Sequence, residues 1–135
     1  MADPVFRIID ANLNRCREAL RVIEEYFRFI LNCAEPSGEL KLLRHELILI
    51  EEGLGPKRLL EYRDTQNDCF ADENRPEELI RSNESDIAAA SFKRAQEASR
   101  VIEEYVKLTD TPLLSGIAKK IRFSLYALEK TYLTK

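Results

Sequence analysis

Tryptophan is absent from the 135 residues, histidine and methionine occur once each, and only four glycines and five prolines interrupt the chain. With β-branched residues scattered rather than clustered, this poverty of breakers argues against strands and for helices. No apolar run exceeds four residues, as in LILI (Leu47–Ile50), which excludes a membrane-spanning helix. The start, MADPVFRIID, has no basic flank leading into an apolar core and so gives no secretory signal. The cysteines, Cys16, Cys33 and Cys69, are odd in number and lack metal-ligand spacing, so they read as reduced thiols of a cytoplasmic protein. A net charge of −3 argues against nonspecific nucleic-acid binding, although arginine clusters are present. What the chain does have is 44% hydrophobic and 33% charged residues, in a length that suits one helical domain over residues 1–135.

Apolar residues recur at three and four positions from about Pro4 to Asn32, where Leu13, Cys16, Leu20, Ile23, Phe27 and Ile30 form one stripe. Asp3 before Pro4 is an N-cap followed by proline at the first helical position. AEPSGE (Ala34–Glu39) breaks the pattern, and a second helix follows from about Gly38 to Glu52 with Leu40, Leu43, Leu47 and Ile50 inward. Glycine then proline in GLGP (Gly53–Pro56) stops it. A helical turn at Lys57–Tyr62 leads into the polar stretch RDTQNDCFADENRP. Further helices are expected over Ser85–Leu108 and Pro112–Tyr132, the last with Thr111 as cap.

The hexapeptide RVIEEY occurs at Arg21–Tyr26 and again at Arg100–Tyr105. At the same offset of 79, RCREALRVIEEY lies over RAQEASRVIEEY with nine of twelve positions identical. An offset of 78 sets LKLLRHEL (Leu40–Leu47) over AKKIRFSL (Ala118–Leu125), with Arg44 opposite Arg122. The chain therefore reads as a duplicated helical hairpin, repeats about 6–52 and 85–132 joined by a loop 53–84. An all-α bundle with pseudo-two-fold symmetry is the simplest way to bury both stripes.

Packing explains the repeated Val22, Ile23 and Tyr26, with Val101, Ile102 and Tyr105, on or beside the stripe. It does not explain Arg15, Glu18, Arg21 and Glu25, a polar strip that Arg94, Glu97, Arg100 and Glu104 repeat. Ion pairs at i,i+3 and i,i+4 on a solvated surface are worth only about 0.2–0.5 kcal/mol each and drift easily. Nearby polar positions do differ, Asn14 against Lys93 and Arg17 against Gln96. The strips are therefore expected to face a shared, partly buried cleft, with solvated pairing as the alternative. His45, the only histidine, has no partner at ligand spacing and reads as structural or exposed. Cys69 has no histidine placed to activate it, and no phosphate-binding glycine loop occurs. In the polar loop, Arg63 and Thr65 could grip a phosphate while Asp64 or Asp68 held Mg²⁺, and the alternative is a capped turn.

RIIDANLNRCREALRVIEEYFRF, LKLLRHEL, RDTQND, FKRAQEASRVIEEY and IRFSLYALE together resemble the alternative hydroxymethylpyrimidine-phosphate kinase of thiamin biosynthesis. That helical domain is often fused ahead of thiamin-phosphate synthase. The resemblance runs from about Phe6 to Glu129, and because no synthase barrel follows Lys135 it implies the free-standing form. One departure is Ser91, where the family usually repeats the asparagine present at Asn12. The resemblance implies transfer of a phosphoryl group from Mg·ATP to hydroxymethylpyrimidine monophosphate. A phosphate monoester, with a second pKa of about 6, is already an anionic nucleophile and needs no strong base. The task is to align two polyanions and neutralise them, which arginines and Mg²⁺ can do.

On that reading Arg63, Arg15 and Arg94 are phosphate clamps, with Arg44 and Arg122 in reserve. Asp68 leads as Mg²⁺ ligand, helped by Asp64 or by Glu18 and Glu97. Thr65 sits with the catalytic loop, and Asn12 suits a pyrimidine edge because an amide both donates and accepts. The alternative is a non-catalytic module that docks on thiamin-phosphate synthase, or a bundle whose strips make homodimer salt bridges. The loop reading predicts that Arg63→Ala and Asp68→Asn each lose most activity while leaving the melting temperature nearly unchanged.

Overall fold

A computed structural model describes residues 3–134. Those residues are helical and turn structure, with no strand among them, so the all-α expectation holds. Helix α1 (Pro4–Glu25) leads through a π-helical turn at Tyr26–Ile30 to α2 (Ala34–Leu54) and the short α3 (Pro56–Glu61). A long polar segment with one 3₁₀ turn, Pro76–Leu79, connects to α4 (Glu84–Tyr105). Two 3₁₀ turns, Val106–Leu108 and Pro112–Leu114, then carry the chain into α5 (Ser115–Leu133).

The helix starts follow elementary capping. Asp3 accepts a hydrogen bond from the Val5 amide at 2.9 Å, with Pro4 next in line, and Asn83 accepts one from Asp86 at 3.0 Å. Gly55 ends α2 at a φ of +99°, a conformation that disfavours any side chain, and Pro56 starts α3. Three expectations need correction. The break after α1 is at Leu31–Cys33, where Asn32 adopts a φ of 49°, and AEPSGE instead forms the opening turns of α2. Pro36 is harmless there because the first-turn amides have no helical acceptor to lose. Ile30 leaves the inward stripe and is exposed, because the wider π turn slows the rotation of side chains around the axis. Thr111 makes no side-chain cap; Thr109 instead closes the turn before it, its hydroxyl accepting from the Thr111 amide and donating to the Val106 carbonyl.

Helices α1 and α4 are antiparallel at the centre of the structure. Near the start of α1, Phe6 lies under the guanidinium of Arg58, which reaches Asp110 just beyond α4. At the other end Phe27 meets Phe92 of α4, ring centroids 6.3 Å apart, and Tyr132 of α5 at 5.3 Å. Between these ends the contact is made of small side chains: Cys16 and Ala19 from α1, Ala95, Ala98 and Ser99 from α4. The Cys16 thiol faces the Ala95 carbonyl at 3.9 Å, and burial pushes its pKa up to about 12, which makes it an inert packing group. Leu13, Leu20, Ile23 and Phe27 then meet Leu40, Leu43, Leu47 and Ile50 of α2, and Phe92 and Ile102 meet Ile121 and Leu125 of α5.

Each hairpin is tied by the same polar links at the repeat offsets. Arg44 donates to Glu24 at 2.8 Å, and Arg122 donates to Glu103 at 2.9 Å. Arg17 pairs with Glu51, and Gln96 donates to Glu129 at 3.1 Å. The Arg17-to-Gln96 difference is thus a change of donor to an equivalent acceptor rather than surface drift. Glu24 and Glu103 are buried, and the Arg122 side chain is only 10% exposed. Removing one member leaves a charge without its counter-charge in a poorly hydrated place, which costs far more than losing a surface pair. We expect Glu103→Ala to lower the unfolding free energy by about 3 kcal/mol, against less than about 0.5 kcal/mol for Glu104→Ala. Urea titration with an unchanged slope is the check, and equal effects would refute the assignment.

Candidate functional site

The small residues that let α1 and α4 approach also shape a groove on their outer side. It encloses about 490 Å³ and is lined by Asn12, Arg15, Glu18, Ala19 and Val22 of α1 with Ser91, Arg94, Glu97, Ala98 and Val101 of α4. Because the helices are antiparallel, Asn12 lies towards the Val101 end and Ser91 towards the Val22 end. Arg15 and Glu18 of one strip and Arg94 and Glu97 of the other thus rim one groove. They are exposed rather than partly buried, since alanines hold the line of contact and the longer side chains beside them must splay into water. Val22 and Val101 line the groove as well, so packing in the core does not account for their repetition.

Arg15, Glu18, Arg94 and Glu97 make no hydrogen bond or ion pair with the described residues. Farther along the same helices the simple pairing reading applies: Arg21 lies 3.9 Å from Glu25, and Arg100 lies 3.3 Å from Glu104. The floor is polar at two points. Asn12 is 5% exposed and donates one N–H to the Ile8 carbonyl at 2.9 Å, which fixes the amide and leaves its oxygen without a partner among the described residues. Ser91 is 3% exposed and its hydroxyl makes no hydrogen bond with the described residues. A ligand here would meet two guanidinium groups, two carboxylates and an oriented amide.

The remaining predicted residues lie elsewhere. Arg44 and Arg122 are committed to Glu24 and Glu103, so they are not free clamps; Arg122 also donates to the Tyr126 hydroxyl at 3.3 Å. Arg63 donates two hydrogen bonds to Asp10, at 2.7 and 2.8 Å, and the Asp10 carboxylate holds the guanidinium pKa above its ordinary value. Asp10 and Asn12 are two residues apart on α1, roughly 200° around the helix, so Arg63 lies across α1 from the groove. Hydrogen bonds from Asn67 to Asp64, at 3.1 and 2.7 Å, hold that carboxyl below the usual range, as in a capped turn. Asp68 accepts from the Phe70 amide at 3.0 Å, and Thr65 is exposed beside it. His45 and Cys69 are exposed. No group of three or more histidine, cysteine or acidic side chains converges on a common point among the described residues.

Other hollows offer less. A larger one, about 580 Å³ between α2 and α5, has acidic and apolar walls, and its one cation, Lys120, is paired with Glu46 at 3.3 Å. The sequence pattern did not reveal Asp10, Glu24 or Glu103 as partners of the arginines. A repeat-based search for acids matched with Arg44 and Arg122 would have found the last two. No helix among the described residues is long and apolar enough to cross a membrane.

Residues 7–131 match the model of the ThiD2 family. The chain is 42% identical over 125 residues to a thiamine-phosphate synthase of Nostoc sp. PCC 7120, covering 93% of this chain and 34% of that protein. A thiamine-phosphate synthase of Gloeobacter violaceus is 42% identical over 127 residues, 94% of this chain and 36% of its own length. That of Thermosynechococcus vestitus is 45% identical over 124 residues, 92% of this chain and 34% of its own. The chain thus spans about a third of the length of the curated relatives it matches. No solved structure matches.

The Arg63–Asp10 pair reverses the expectation that Arg63→Ala leaves stability untouched. The Asp10 side chain is 8% exposed, so truncating Arg63 strands a buried carboxylate. We expect a loss of about 1–3 kcal/mol for Arg63→Ala, against less than about 0.5 kcal/mol for Asp68→Asn. Thermal melts of the two variants decide it, and equal midpoints would show the pair to be dispensable.

Proposed function

This chain belongs to the ThiD2 family, and from that premise we propose that it is an ATP-dependent hydroxymethylpyrimidine-phosphate kinase of thiamin biosynthesis. The observation that carries the reading is the α1/α4 groove, where Arg15 and Arg94 stand on opposite walls without counter-ions among the described residues. An unpaired guanidinium pair is suited to phosphate, which it can grip by parallel charge-assisted hydrogen bonds. Hydroxymethylpyrimidine monophosphate brings one phosphate and ATP brings three, so the groove's two arginines would neutralise part of the charge where the two meet. An oxygen of the substrate monophosphate attacks the γ-phosphorus, the bond from that phosphorus to the bridging oxygen of ADP breaks, and ADP leaves with the electron pair. The nucleophile is already anionic near neutral pH, so this chemistry needs no strong general base in the groove. Asn12, pinned by Ile8, offers its free oxygen to a donor on the pyrimidine edge.

Mg²⁺ is commonly held by one or two carboxylates plus substrate phosphates, so a full protein cage is not required. Glu18 and Glu97 in the groove are suited to that share, whereas Asp64 and Asp68 belong to the loop that Arg63 clasps on the far side of α1. Bound there, the ion would offset charge on the transferring phosphoryl group. In this reading the two hairpins are related by a near two-fold axis through the groove, so Arg15 and Arg94 do equivalent work on different phosphates. The second reading, a non-catalytic module associated with thiamin-phosphate synthase, draws on the names of the relatives and on the third of their length that this chain spans.

The test is turnover of hydroxymethylpyrimidine monophosphate with Mg·ATP. We expect Arg15→Ala and Arg94→Ala each to lower kcat/KM by about 10²–10³, with melting temperatures unchanged because neither side chain has a partner to lose. Arg21→Ala, beyond the groove, should turn over as the wild type does. Mg·ATP at 100 times its Kd should stabilise the wild type by about 2.7 kcal/mol. No turnover and no stabilisation, with binding to the synthase instead, would replace the kinase by the docking module.

A further inference from the structure

The ten residues that line the α1/α4 groove form five pairs at the repeat offset of 79, and four of those pairs are identical. Arg15 repeats as Arg94 and Glu18 as Glu97, and two further identical pairs are apolar. Only Asn12 and Ser91 differ. Asn12 and Arg15 are three residues apart on α1 and share a face, as Ser91 and Arg94 do on α4. Because the helices run antiparallel, one end of the groove is marked by Asn12 with Arg15 and the other by Ser91 with Arg94. The exchange of a carboxamide for a hydroxyl is the one chemical difference between the two ends of the lining. Among the described residues, the Nε of Arg58 is the only side-chain nitrogen or oxygen both sealed from solvent and unpartnered. The Asn12 oxygen and the Ser91 hydroxyl are unpartnered too, so they open into the groove although their residues are 95% or more buried.

We propose that Asn12 and Ser91 give the groove its direction. The pyrimidine monophosphate lies at the Asn12–Arg15 end and the triphosphate of the nucleotide at the Ser91–Arg94 end. This rests on the kinase reading and adds to it which substrate each half of the repeat holds. A reaction between two unlike ligands needs them seated in one order, and four identical pairs cannot impose an order. With its N–H held by Ile8, Asn12 presents an acceptor, which attracts a donor on a pyrimidine edge and repels phosphate oxygens. The Ser91 hydroxyl is free to donate, and beside the Arg94 guanidinium it suits a phosphate oxygen. Length agrees with chemistry. Three residues of helix separate Asn12 from Arg15, a rise of about 4.5 Å. In hydroxymethylpyrimidine monophosphate only a methylene and an ester oxygen lie between ring and phosphorus, so ring and phosphate reach the two side chains together. An adenine held at Asn12 would carry its terminal phosphate well past Arg15, because a ribose and two phosphates intervene.

Calorimetric titration of the full chain with hydroxymethylpyrimidine monophosphate alone and with Mg·ATP alone tests it. We expect Asn12→Ser to weaken the pyrimidine phosphate about tenfold and to leave the Kd of Mg·ATP unchanged. Serine already stands at the matching place on α4, so the substitution suits the packing, and retained ATP binding reports an intact fold. Ser91→Ala should do the converse, weakening Mg·ATP several-fold and sparing the pyrimidine phosphate. Ser91→Asn should let a second pyrimidine phosphate bind, seen as a stoichiometry of two and as inhibition of turnover that excess ATP relieves. The exchange Asn12→Ser/Ser91→Asn should return both affinities to within a few-fold of the wild type, since the other pairs are alike at both ends. Single variants that weaken the same ligand, the opposite ligands or neither overturn the proposed direction while the kinase reading stands on wild-type turnover. A wild type that binds neither ligand and shows no turnover removes that reading, and the direction with it.

Discussion

The close antiparallel approach of α1 and α4 is the constraint on which the rest of the molecule depends. Cys16 and Ala19 against Ala95, Ala98 and Ser99 allow two helix backbones to come together with little side chain between them. Larger residues there would push the helices apart, open the core beneath Leu20 and Ile102, and flatten the groove above. The same short side chains leave the flanking Arg15, Glu18, Arg94 and Glu97 nothing to lie against, which is why these charges stand out into water around a hollow. One packing choice therefore supplies both the spine of the fold and the shape of the candidate site.

The charged residues of the repeat divide into two populations with different energetics. Glu24 with Arg44, and Glu103 with Arg122, sit where helices meet and water is scarce, so each acid is needed to keep its arginine from being stranded. Such pairs fix how α2 lies on α1 and how α5 lies on α4, since a displaced helix would part a buried ion pair. The groove charges satisfy no structural demand, and that freedom makes them available to a ligand. Arg63 belongs to the first population: Asp10 holds it, so it clasps the loop to α1 on the side away from the groove. Phosphate recognition is better sought among arginines that the fold does not use.

Much of the fold was legible in the sequence because it rests on local physics. The apolar period located four long helices, Asp3–Pro4 located one start, and Gly55–Pro56 located a stop. Errors arose where one signal had two meanings. Proline in AEPSGE reads as a breaker, yet a first helical turn tolerates proline because its amide would go unbonded in any case. The π turn at Tyr26–Ile30 was invisible, since no residue type demands it; Phe27 is held inward by Phe92 and Tyr132, which lie far away in the chain.

The candidate site shows the same division more sharply. From the sequence alone came the residue types and their repetition: two arginines and two glutamates at matched positions, an amide at Asn12, and the mismatch at Ser91. Spacing along a helix fixes which residues share a face, because the rotation per residue is a local property of the backbone. Which face meets which is not local. Only the antiparallel crossing of α1 and α4 put Arg15, Glu18, Arg94 and Glu97 on one groove, gave Arg44 and Arg122 to buried acids, and set Arg63 on the far side of α1. Those outcomes depend on side chains 20 to 79 residues apart competing for the same contacts and the same water, and no local rule ranks that competition.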